Sequence, residues 1–342
     1  NQLMRQIVGN ERAVQIITSS IKSGSIHHAY LFEGPEHIGK LTVAEEFAMA
    51  LNCETGDGPC LECDQCKRVG NHTHADVEFI GLNDNDALSS KQDVISIEKI
   101  REIQKKISLT PFEGKYRVLI FCNADNLTLE ASNCLLKTLE SPPEGVVIIL
   151  LSLNATTLLS TVVSRCLIIQ FKPVSNTLIK NYLVNCYAIN EEKASEISRI
   201  SNGCPGWAIT AMEDRVVLEE FNRIIDKIET TIKGDLSLRF EYADETASRY
   251  RKDRKSVKDE LYIWLNYWRD ILLIKVGSVE LVIHNSRLEF LRLIGNQMSI
   301  VAILDVITRL VNTLNLLDSN VNANLALEQF VISLPATNLK VN

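Results

Sequence analysis

The first half of the chain alternates short apolar runs with segments of helical periodicity. Five apolar runs rich in branched residues predict buried β-strands: residues 29–32, 77–80, 118–121, 146–153 and 166–171. Between them, apolar residues recur at helical spacing, as in the segments that begin at Lys40 and Ser96 and in residues 130–140. Strands that are apolar throughout and separated by helices predict a mainly parallel sheet covered on both faces.

The second half of the chain carries helical patterns alone. The predicted helices are residues 176–188, 191–201, 216–233, 256–276, 288–317 and 323–333. Gly234 and Gly277 mark breaks between helices. We therefore predict a fold class of α/β plus all-α, with an α/β domain at residues 1–172, a small helical domain at 173–213 and an all-helical domain at 214–342.

The composition is that of an ordinary soluble globular chain, with 46% hydrophobic and 23% charged residues and a mean hydropathy of +0.03. The net charge of −7 excludes a generally basic nucleic-acid coat, so DNA contacts must come from a local patch or from partner subunits. The uncharged stretch at residues 145–164 is long enough to span a membrane, but its Ser, Thr and Asn residues favour a buried strand and a polar loop. With no signal segment at the start of the chain, we expect a cytoplasmic protein.

The sequence GPEHIGK after the first predicted strand matches the phosphate-loop pattern G-x-x-x-x-G-K and opens a predicted helix. In such a loop, backbone amides at the helix N-terminus bind phosphates and a lysine adds positive charge. Gly34, Gly39 and Lys40 are therefore the candidate nucleotide-binding residues. Two features weaken the site: Leu41 replaces the Ser or Thr that holds Mg²⁺, and Glu36 places a negative charge inside the loop.

The metal-binding half of an ATPase site is also incomplete. P-loop ATPases need carboxylates that hold the metal and orient the attacking water. The strand at residues 118–121, which should carry them, ends in Cys122-Asn123, and Asp125 lies further on. The missing groups predict a chain without intrinsic ATP hydrolysis. Two interpretations of the loop remain open: it retains weak nucleotide affinity, or it is only a strand-to-helix turn.

Four closely spaced cysteines predict a metal site. They are Cys53, Cys60, Cys63 and Cys66. Four thiolates favour tetrahedral Zn²⁺, and because four protein ligands leave no open coordination position, we predict a structural zinc. The alternatives are free or disulfide-linked cysteines, or a site in which His72 or His74 replaces one thiolate. The other five cysteines are scattered, and an odd total of nine fits a reduced compartment.

Several sequence blocks resemble the clamp-loader branch of the AAA+ ATPases. They are HHAYLFEG at residues 27–34 with the loop and cysteines that follow, NCLLKTLESPP at 133–143, Ser164-Arg165-Cys166, and NANLALE at 322–328. The corresponding family patterns include N-A-L-L-K-x-L-E-E-P-P, S-R-C and N-x-x-L-A-L-E. The resemblance implies an AAA+ parallel-sheet domain with a zinc module at residues 53–66, followed by a small helical lid domain and a helical collar domain for oligomerisation.

The resemblance also implies a function in DNA replication. The family's gamma and tau motor subunits keep G-K-T-S and an acidic pair, and a sensor arginine that residues 203–207 lack here. We therefore expect a non-hydrolysing stator of the bacterial DNA polymerase III clamp loader, without polymerase activity of its own. The expected partners are the gamma or tau and delta subunits. The sliding clamp and primed DNA are expected to be reached through the complex, and no membrane is involved.

The S-R-C block implies a catalytic role in trans. By resemblance, Arg165 reaches the ATP site of a neighbouring subunit as an arginine finger; otherwise it forms only a local ion pair. Two other functions remain as alternatives: an active gamma- or tau-like ATPase that uses Thr42 and Asp125 as displaced metal groups, or a DNA-binding zinc module. Acidic residues around the cysteines, Asp57 and Asp64 among them, argue against DNA binding.

A final expectation concerns the aromatic residues of the predicted collar domain. Trp264, Tyr267 and Trp268 lie at helical spacing in the predicted helix at residues 256–276. Aromatic residues at this spacing usually pack inside a helical domain. We therefore predict an interior position for them, with a surface facing sister subunits as the alternative.

Overall fold

The computed structural model describes five stretches of the chain. They are residues 7–56, 58–82, 94–107, 111–319 and 321–335. The chain divides into two compact units. The first unit comprises Asn1–Cys186 and Gly203–Trp207, and the second comprises Tyr187–Asn202 and Ala208–Asn342. The division into three domains at residues 173 and 214 stays a prediction.

The first unit contains one five-stranded sheet. Its strands are β1 (Ala29–Glu33), β2 (Val77–Ile80), β3 (Arg117–Phe121), β4 (Val146–Ser152) and β5 (Leu167–Gln170). They are all parallel and lie in the order β2-β3-β4-β1-β5. Every residue of β4 is buried, as expected for a central strand covered on both faces. The five predicted strands are confirmed to within one residue at either end, and so is the parallel sheet.

Helices connect the strands. They are α1 (Glu11–Ser23), α2 (Lys40–Asn52), α3 (Asp64–Gly70), α4 (Ile97–Ile107), α5 (Leu129–Glu140), α6 (Ser160–Val163) and α7 (Asn176–Tyr187). The apolar stripe of α2 is buried, including Phe47 and Ala48. The sequence did not predict α1 or α3. Only two residues of α1, Ala13 and Ile17, are buried, and α3 is too short for a periodic stripe.

The strand order determines which loops meet. Because parallel strands share one direction, the loops that follow β1, β3, β4 and β5 lie at the carboxyl edge of the sheet. The loop after β1 is the candidate phosphate loop. β4 lies between β1 and β3. Cys122, which follows β3, is therefore separated by one strand from β1, which leads into the phosphate loop.

The remaining helices continue to the C-terminal end of the described chain. They are α8 (Glu191–Ile200), α9 (Pro205–Glu213), α10 (Arg215–Lys233), α11 (Leu236–Tyr250), α12 (Arg254–Lys275), α13 (Leu288–Gln297), α14 (Ile300–Asp318) and α15 (Ala323–Ile332). No strand occurs in the described part of the chain after β5, which confirms the all-helical prediction.

Three features of this helical region differ from the prediction, and one of them is the presence of α9, which was not predicted. The single helix predicted at residues 288–317 is wrong, because the chain breaks at Met298 and Ser299 caps a new helix by accepting a hydrogen bond from the Ala302 amide. Helix α11 was not predicted. Its buried face combines aromatic and small residues such as Tyr242 and Ala243, so it lacks an aliphatic stripe.

The aromatic residues of α12 lie inside the second unit, as predicted. Trp264, Tyr267 and Trp268 are fully buried. The Trp264 indole donates a hydrogen bond to the Tyr242 hydroxyl at 2.8 Å, and the Tyr267 hydroxyl donates to Glu229 Oε1 at 2.9 Å. The polar groups of Trp264 and Tyr267 therefore have partners, which removes most of the cost of burying them, whereas the buried Trp268 indole nitrogen has no hydrogen-bond partner among the described residues.

Among the described helices, α14 alone is long and apolar enough to cross a membrane. Its segment Ile300–Leu317 has a mean hydropathy of 1.7. Ile303, Val306 and Leu310 on this helix are buried in the core of the second unit. The apolar character of α14 is thus used at least partly for packing between helices.

A buried carboxylate organises the loop before β3. Asp76 Oδ1 accepts a hydrogen bond from the Phe112 amide, and Oδ2 accepts from the Glu113 and Gly114 amides, each at 2.8 Å. Arg117 Nη2 donates to Oδ1 at 2.8 Å. Burial acts to raise the pKa of Asp76, but these donors outweigh it and hold the pKa below its ordinary value of 3.8.

We predict that Asp76→Asn lowers the free energy of unfolding by about 3 kcal/mol, because Arg117 loses its charged partner and an amide group faces backbone donors. The stabilisation is present above pH 3.8 and is lost as the pH falls towards the depressed pKa. Urea unfolding between pH 3 and pH 7 measures both effects. The control Asp305→Asn alters an exposed pair with Arg309 and should change stability by less than about 0.5 kcal/mol. Equal losses in the two variants contradict the prediction.

Candidate functional site

The phosphate-loop segment joins β1 directly to α2. Gly34 and Gly39 both adopt positive φ, at 155° and 101°, which favours glycine at these positions. A Cβ atom on Gly34 would lie 2.5 Å from the Phe171 carbonyl oxygen at the end of β5. Gly34 is therefore required by the packing of two adjacent strand ends, whether or not the loop binds phosphate.

Lys40 is engaged by its own loop. Its Nζ donates hydrogen bonds to the Gly34 carbonyl and to the Pro35 carbonyl, the latter at 2.7 Å. Burial lowers the pKa of Lys40, and the opposing charges of Glu36 and Asp125 offset part of that shift. The ammonium thus already has acceptors inside the loop, where a phosphate would otherwise be its partner.

Residues 203–207 cover the middle of the loop. The Gly206 amide donates a hydrogen bond to the His37 carbonyl at 2.8 Å, and His37 itself has a positive φ of 56°. A Cβ atom on Gly206 would lie 2.7 Å from the His37 carbonyl oxygen. This approach requires glycine at residue 206, and the contact fixes the loop in its present conformation.

Within the part of the chain that the structure describes, the side chains at the carboxyl edge form no cluster of metal ligands. Leu41 follows Lys40 and has no hydroxyl group. Cys122, at the end of β3, is largely buried, and burial raises the pKa of its thiol to about 12. The thiol is therefore protonated near neutral pH in the absence of a metal, and as a soft ligand it is a poor substitute for a carboxylate that holds Mg²⁺.

Asp125 has a structural role at the end of β4. Its Oδ1 accepts hydrogen bonds from the Ser152 hydroxyl at 2.6 Å and from the Thr157 hydroxyl. Its Oδ2 accepts from the Leu153 amide at 2.8 Å. These three bonds fasten the loop after β4, so both carboxylate oxygens already have donors.

Arg165 lies just before β5 and makes three local contacts. Its Nη2 donates to Glu140 Oε1 at 2.8 Å. Its Nη1 donates to the Thr161 carbonyl at 2.8 Å and to the Ser164 hydroxyl at 3.4 Å. The local ion pair expected as the simple interpretation of Arg165 is therefore present. The guanidinium remains partly exposed, with 34% of its side-chain surface accessible.

Arg165 and the phosphate loop lie at opposite edges of the sheet. Strands β1 and β5 are parallel, with Tyr30 opposite Leu167 and Glu33 opposite Gln170. Arg165 precedes β5, whereas the loop follows β1. At about 3.3 Å per residue, Gly34 lies roughly 13 Å along the strands from the level of Leu167. Arg165 is therefore directed away from the phosphate loop of its own chain.

An open groove of about 450 Å³ lies beside Arg165. Besides Arg165, it is lined by His27, His28, Leu139, Glu140, Ser164, Cys166 and Leu167. Glu140 is the functional candidate that the sequence did not single out. It lies within the NCLLKTLESPP block, but nothing in the sequence pairs it with Arg165, because 25 residues separate the two.

The four cysteines of the predicted metal site come together. Their sulfur atoms all lie within 4.8 Å of one another, and the Cys60 and Cys66 sulfurs are 3.9 Å apart. Metal–sulfur bonds of about 2.3 Å in a tetrahedron give sulfur–sulfur distances of about 3.8 Å. None of the four thiols forms a disulfide, and their arrangement fits a single metal ion. Asp57, in the same segment, lies outside the described residues.

Local hydrogen bonds favour the thiolate form of two of the four cysteines, Cys53 and Cys63. Burial acts to raise the pKa of Cys53, but hydrogen bonds from Thr55 and from the Cys60 amide outweigh it and lower the pKa to about 6. The pKa of Cys63 is lowered as well, since backbone amides outweigh its burial. Burial raises the pKa of Cys66. A bound cation would favour the thiolate form of all four.

The two nearby histidines do not belong to the cysteine cluster. His74 Nδ1 accepts a hydrogen bond from the Asp76 amide at 3.0 Å, and its Nε2 lies 2.5 Å from Gln65 Oε1. Both ring nitrogens therefore have other partners. His72 Nε2 lies 3.0 Å from Glu45 Oε1, and its ring packs on Phe79.

Comparison with known proteins relates the chain to subunits of DNA polymerase III. Residues 9–175 match the model of the family described as DNA polymerase III, delta subunit. The chain is similar to DNA polymerase III subunit delta' of Bacillus subtilis, at 26% identity over 326 residues, which cover 94% of this chain and 95% of that protein. It is also similar to the tau subunit of Bacillus subtilis, at 28% identity over 300 residues, which cover 81% of this chain and 51% of tau.

The relatives differ in how much of their length this chain spans. It extends over nearly all of the delta' relative but only about half of the tau relative. Among solved structures, a gamma subunit-related protein from Thermotoga maritima has a TM-score of 0.43 at 15% identity, covering 94% of this chain and 97% of that one.

We predict that Gly206→Ala weakens the cover over the phosphate loop, because the added methyl group would collide with the His37 carbonyl. The expected cost is about 1–3 kcal/mol of unfolding free energy. Hydrogen exchange of residues 203–207 should become faster. The matched control is Gly295→Ala, where the added Cβ makes ordinary contact at 3.5 Å and stability should hold or rise. Unchanged exchange in Gly206→Ala contradicts the prediction.

Proposed function

The chain belongs to the clamp-loader subunits of DNA polymerase III, and within this family we propose that it is a delta-prime-like stator. In this role it hydrolyses no ATP, helps to load the sliding clamp onto primed DNA during replication and supplies Arg165 to the ATP site of a neighbouring subunit. Its partners are the gamma or tau and delta subunits. It contacts the clamp and DNA through the complex and acts in the cytoplasm.

The main support for the stator proposal is the bonding of Lys40 in the phosphate loop and the residue types around it. A hydrolytic site needs a lysine free to bind phosphate, a hydroxyl for Mg²⁺ and a carboxylate beside the attacking water. Lys40 is instead bonded to the Gly34 and Pro35 carbonyls, Leu41 offers no hydroxyl, and Cys122 holds a protonated thiol. Gly34, Gly39 and Lys40 therefore form a degenerate loop that binds nucleotide weakly or not at all.

The position of Arg165 supports action in trans. An arginine finger must reach phosphate oxygens on which charge develops in the transition state. Arg165 lies at the amino edge of the sheet, directed away from the phosphate loop of its own chain, and is partly exposed beside an open groove. A nucleotide bound by another subunit can approach this edge.

The alternative function is an active gamma- or tau-like ATPase. The retained G-x-x-x-x-G-K pattern and the similarity to tau favour it. It requires Thr42 and Asp125 to hold the metal. The three hydrogen bonds that Asp125 accepts from the loop after β4 argue against that use of its carboxylate.

Turnover by reconstituted loaders tests the stator proposal. The isolated chain should hydrolyse no ATP. In a loader assembled with gamma or tau and delta, Arg165→Ala should lower turnover, because an arginine finger is worth about 10³–10⁵ in rate at the site it serves. Turnover should also be low in the loader that contains Arg165→Lys, because lysine lacks the planar fork of donors. Co-purification of all subunits checks assembly.

The matched control is Arg12→Ala, which removes an exposed arginine on α1 and should leave turnover unchanged. If an intact Arg165→Ala loader keeps the parental turnover, the proposed arginine-finger role of Arg165 is contradicted. Sustained Mg²⁺-dependent turnover by the isolated chain, reduced in Thr42→Ala, favours the motor alternative.

We further propose that Cys53, Cys60, Cys63 and Cys66 hold one structural zinc ion. Thiolate ligands and four-coordinate geometry favour Zn²⁺ over harder cations. The purified full chain should contain one zinc ion, which Cys66→Ser should lose together with thermal stability. Cys186→Ser, at an exposed thiol outside the cluster, is the control. Elemental analysis and thermal unfolding provide the measurements, and full zinc content in Cys66→Ser contradicts the proposal.

A further inference from the structure

We infer that Glu140 is a positioning residue that orients the Arg165 guanidinium for the nucleotide of the neighbouring subunit. This inference rests on the proposed function of Arg165. Glu140 is the last residue of α5, and its Oε1 accepts a hydrogen bond from Arg165 Nη2 at 2.8 Å. It contributes the only negative charge among the residues that line the groove beside Arg165.

The contacts of Arg165 use one part of its guanidinium and leave another available. Arginine carries five N–H donors in a planar fork. Nη1 donates to the Thr161 carbonyl and the Ser164 hydroxyl, and one Nη2 hydrogen reaches Glu140. Within the described residues, no hydrogen bond engages Nε or the second Nη2 hydrogen. Two donors thus remain for a phosphate while the other three fix the plane of the group.

The two anchors of the guanidinium come from different elements. Thr161 and Ser164 belong to α6 and the turn after it, close to Arg165 in sequence, so they restrain Nη1 alone. Glu140 comes from the end of α5 and restrains Nη2. Fixing both ends of the fork removes rotamer freedom from a long side chain before the neighbour's nucleotide arrives, which lowers the entropic cost of the productive geometry.

The ion pair can orient the Arg165 guanidinium without preventing it from moving to a phosphate group. The Glu140 side chain is 53% exposed and that of Arg165 is 34% exposed. Solvent screening limits such pairs to about a five-fold effect on an equilibrium. A triphosphate, with more negative charge than one carboxylate, can therefore draw the guanidinium towards itself without a large penalty.

The experiment compares loaders that contain Glu140→Ala, Glu140→Gln, Arg165→Ala or the double variant Glu140→Ala/Arg165→Ala. The relevant quantity is the Arg165-dependent turnover, meaning the turnover lost in Arg165→Ala. Glu140→Ala should lower it about two- to five-fold through kcat, with KM for ATP unchanged, because the guanidinium acts on transition-state charge. Glu140→Gln keeps an acceptor oxygen and should recover most of the loss.

The double variant separates positioning from a structural role. If Glu140 acts through Arg165, Glu140→Ala has no further effect when Arg165 is already alanine. Glu144→Ala is the charge-matched control, since Glu144 is an exposed carboxylate after the end of α5, and it should match the parent. Should Glu140→Ala fail to assemble, Glu140→Gln decides by whether it keeps the Arg165-dependent turnover.

Two outcomes overturn the positioning role of Glu140, and a third overturns the proposed function of Arg165. Parental turnover in Glu140→Ala, with Arg165→Ala still low, overturns the positioning role and leaves the finger intact. An additional loss in the double variant relative to Arg165→Ala also overturns positioning, since Glu140 then acts independently. Parental turnover in Arg165→Ala overturns the proposed function itself.

Discussion

Because the five strands run in the same direction, the position of a functional group before or after its strand decides at which edge of the sheet it lies. Side chains that follow β1 lie at the carboxyl edge, and side chains that precede β5 lie at the amino edge. The parallel register that places Tyr30 opposite Leu167 and Glu33 opposite Gln170 keeps the two groups at opposite ends of these strands. The phosphate loop and Arg165 therefore belong to different sites, and a site that uses both kinds of group needs two subunits.

The residues at the carboxyl edge form a well-bonded surface, although Leu41 supplies no hydroxyl group and Cys122 no carboxylate there. Lys40 binds loop carbonyls, Asp125 fastens the loop after β4, and the Gly206 amide covers His37. Each of these groups would need to leave a present partner in order to bind nucleotide or metal. The edge is thus stabilised by the same kinds of group that other phosphate loops use for catalysis, which explains how the fold persists in a chain proposed to be inactive.

Much of this could be predicted from the sequence, for reasons that are local. Apolar branched runs identified all five strands, and cysteine spacing identified a cluster whose geometry depends on few residues. The break at Ser299 and the helix α11 escaped prediction because capping and aromatic packing override simple periodicity. The Lys40 contacts and the pairing of Glu140 with Arg165 depend on loop conformation and on tertiary packing, which no sequence spacing encodes.

The segment that carries the four cysteines contacts a corner of the sheet that is distant from the phosphate loop. Helix α2 runs back along the sheet, so Asn52 at its end lies near the amino edge and its Oδ1 accepts a hydrogen bond from the Tyr116 amide at 2.9 Å. Arg68 on α3 pairs with Glu113, whose amide donates to Asp76 just before β2. The loop before β3 is thereby attached to the cysteine segment at several points. With β2 and β5 at opposite sides of the sheet, roughly 19 Å apart, a metal bound there would order the β2–β3 corner without contacting Arg165. Its effect would then be on the rigidity of the unit.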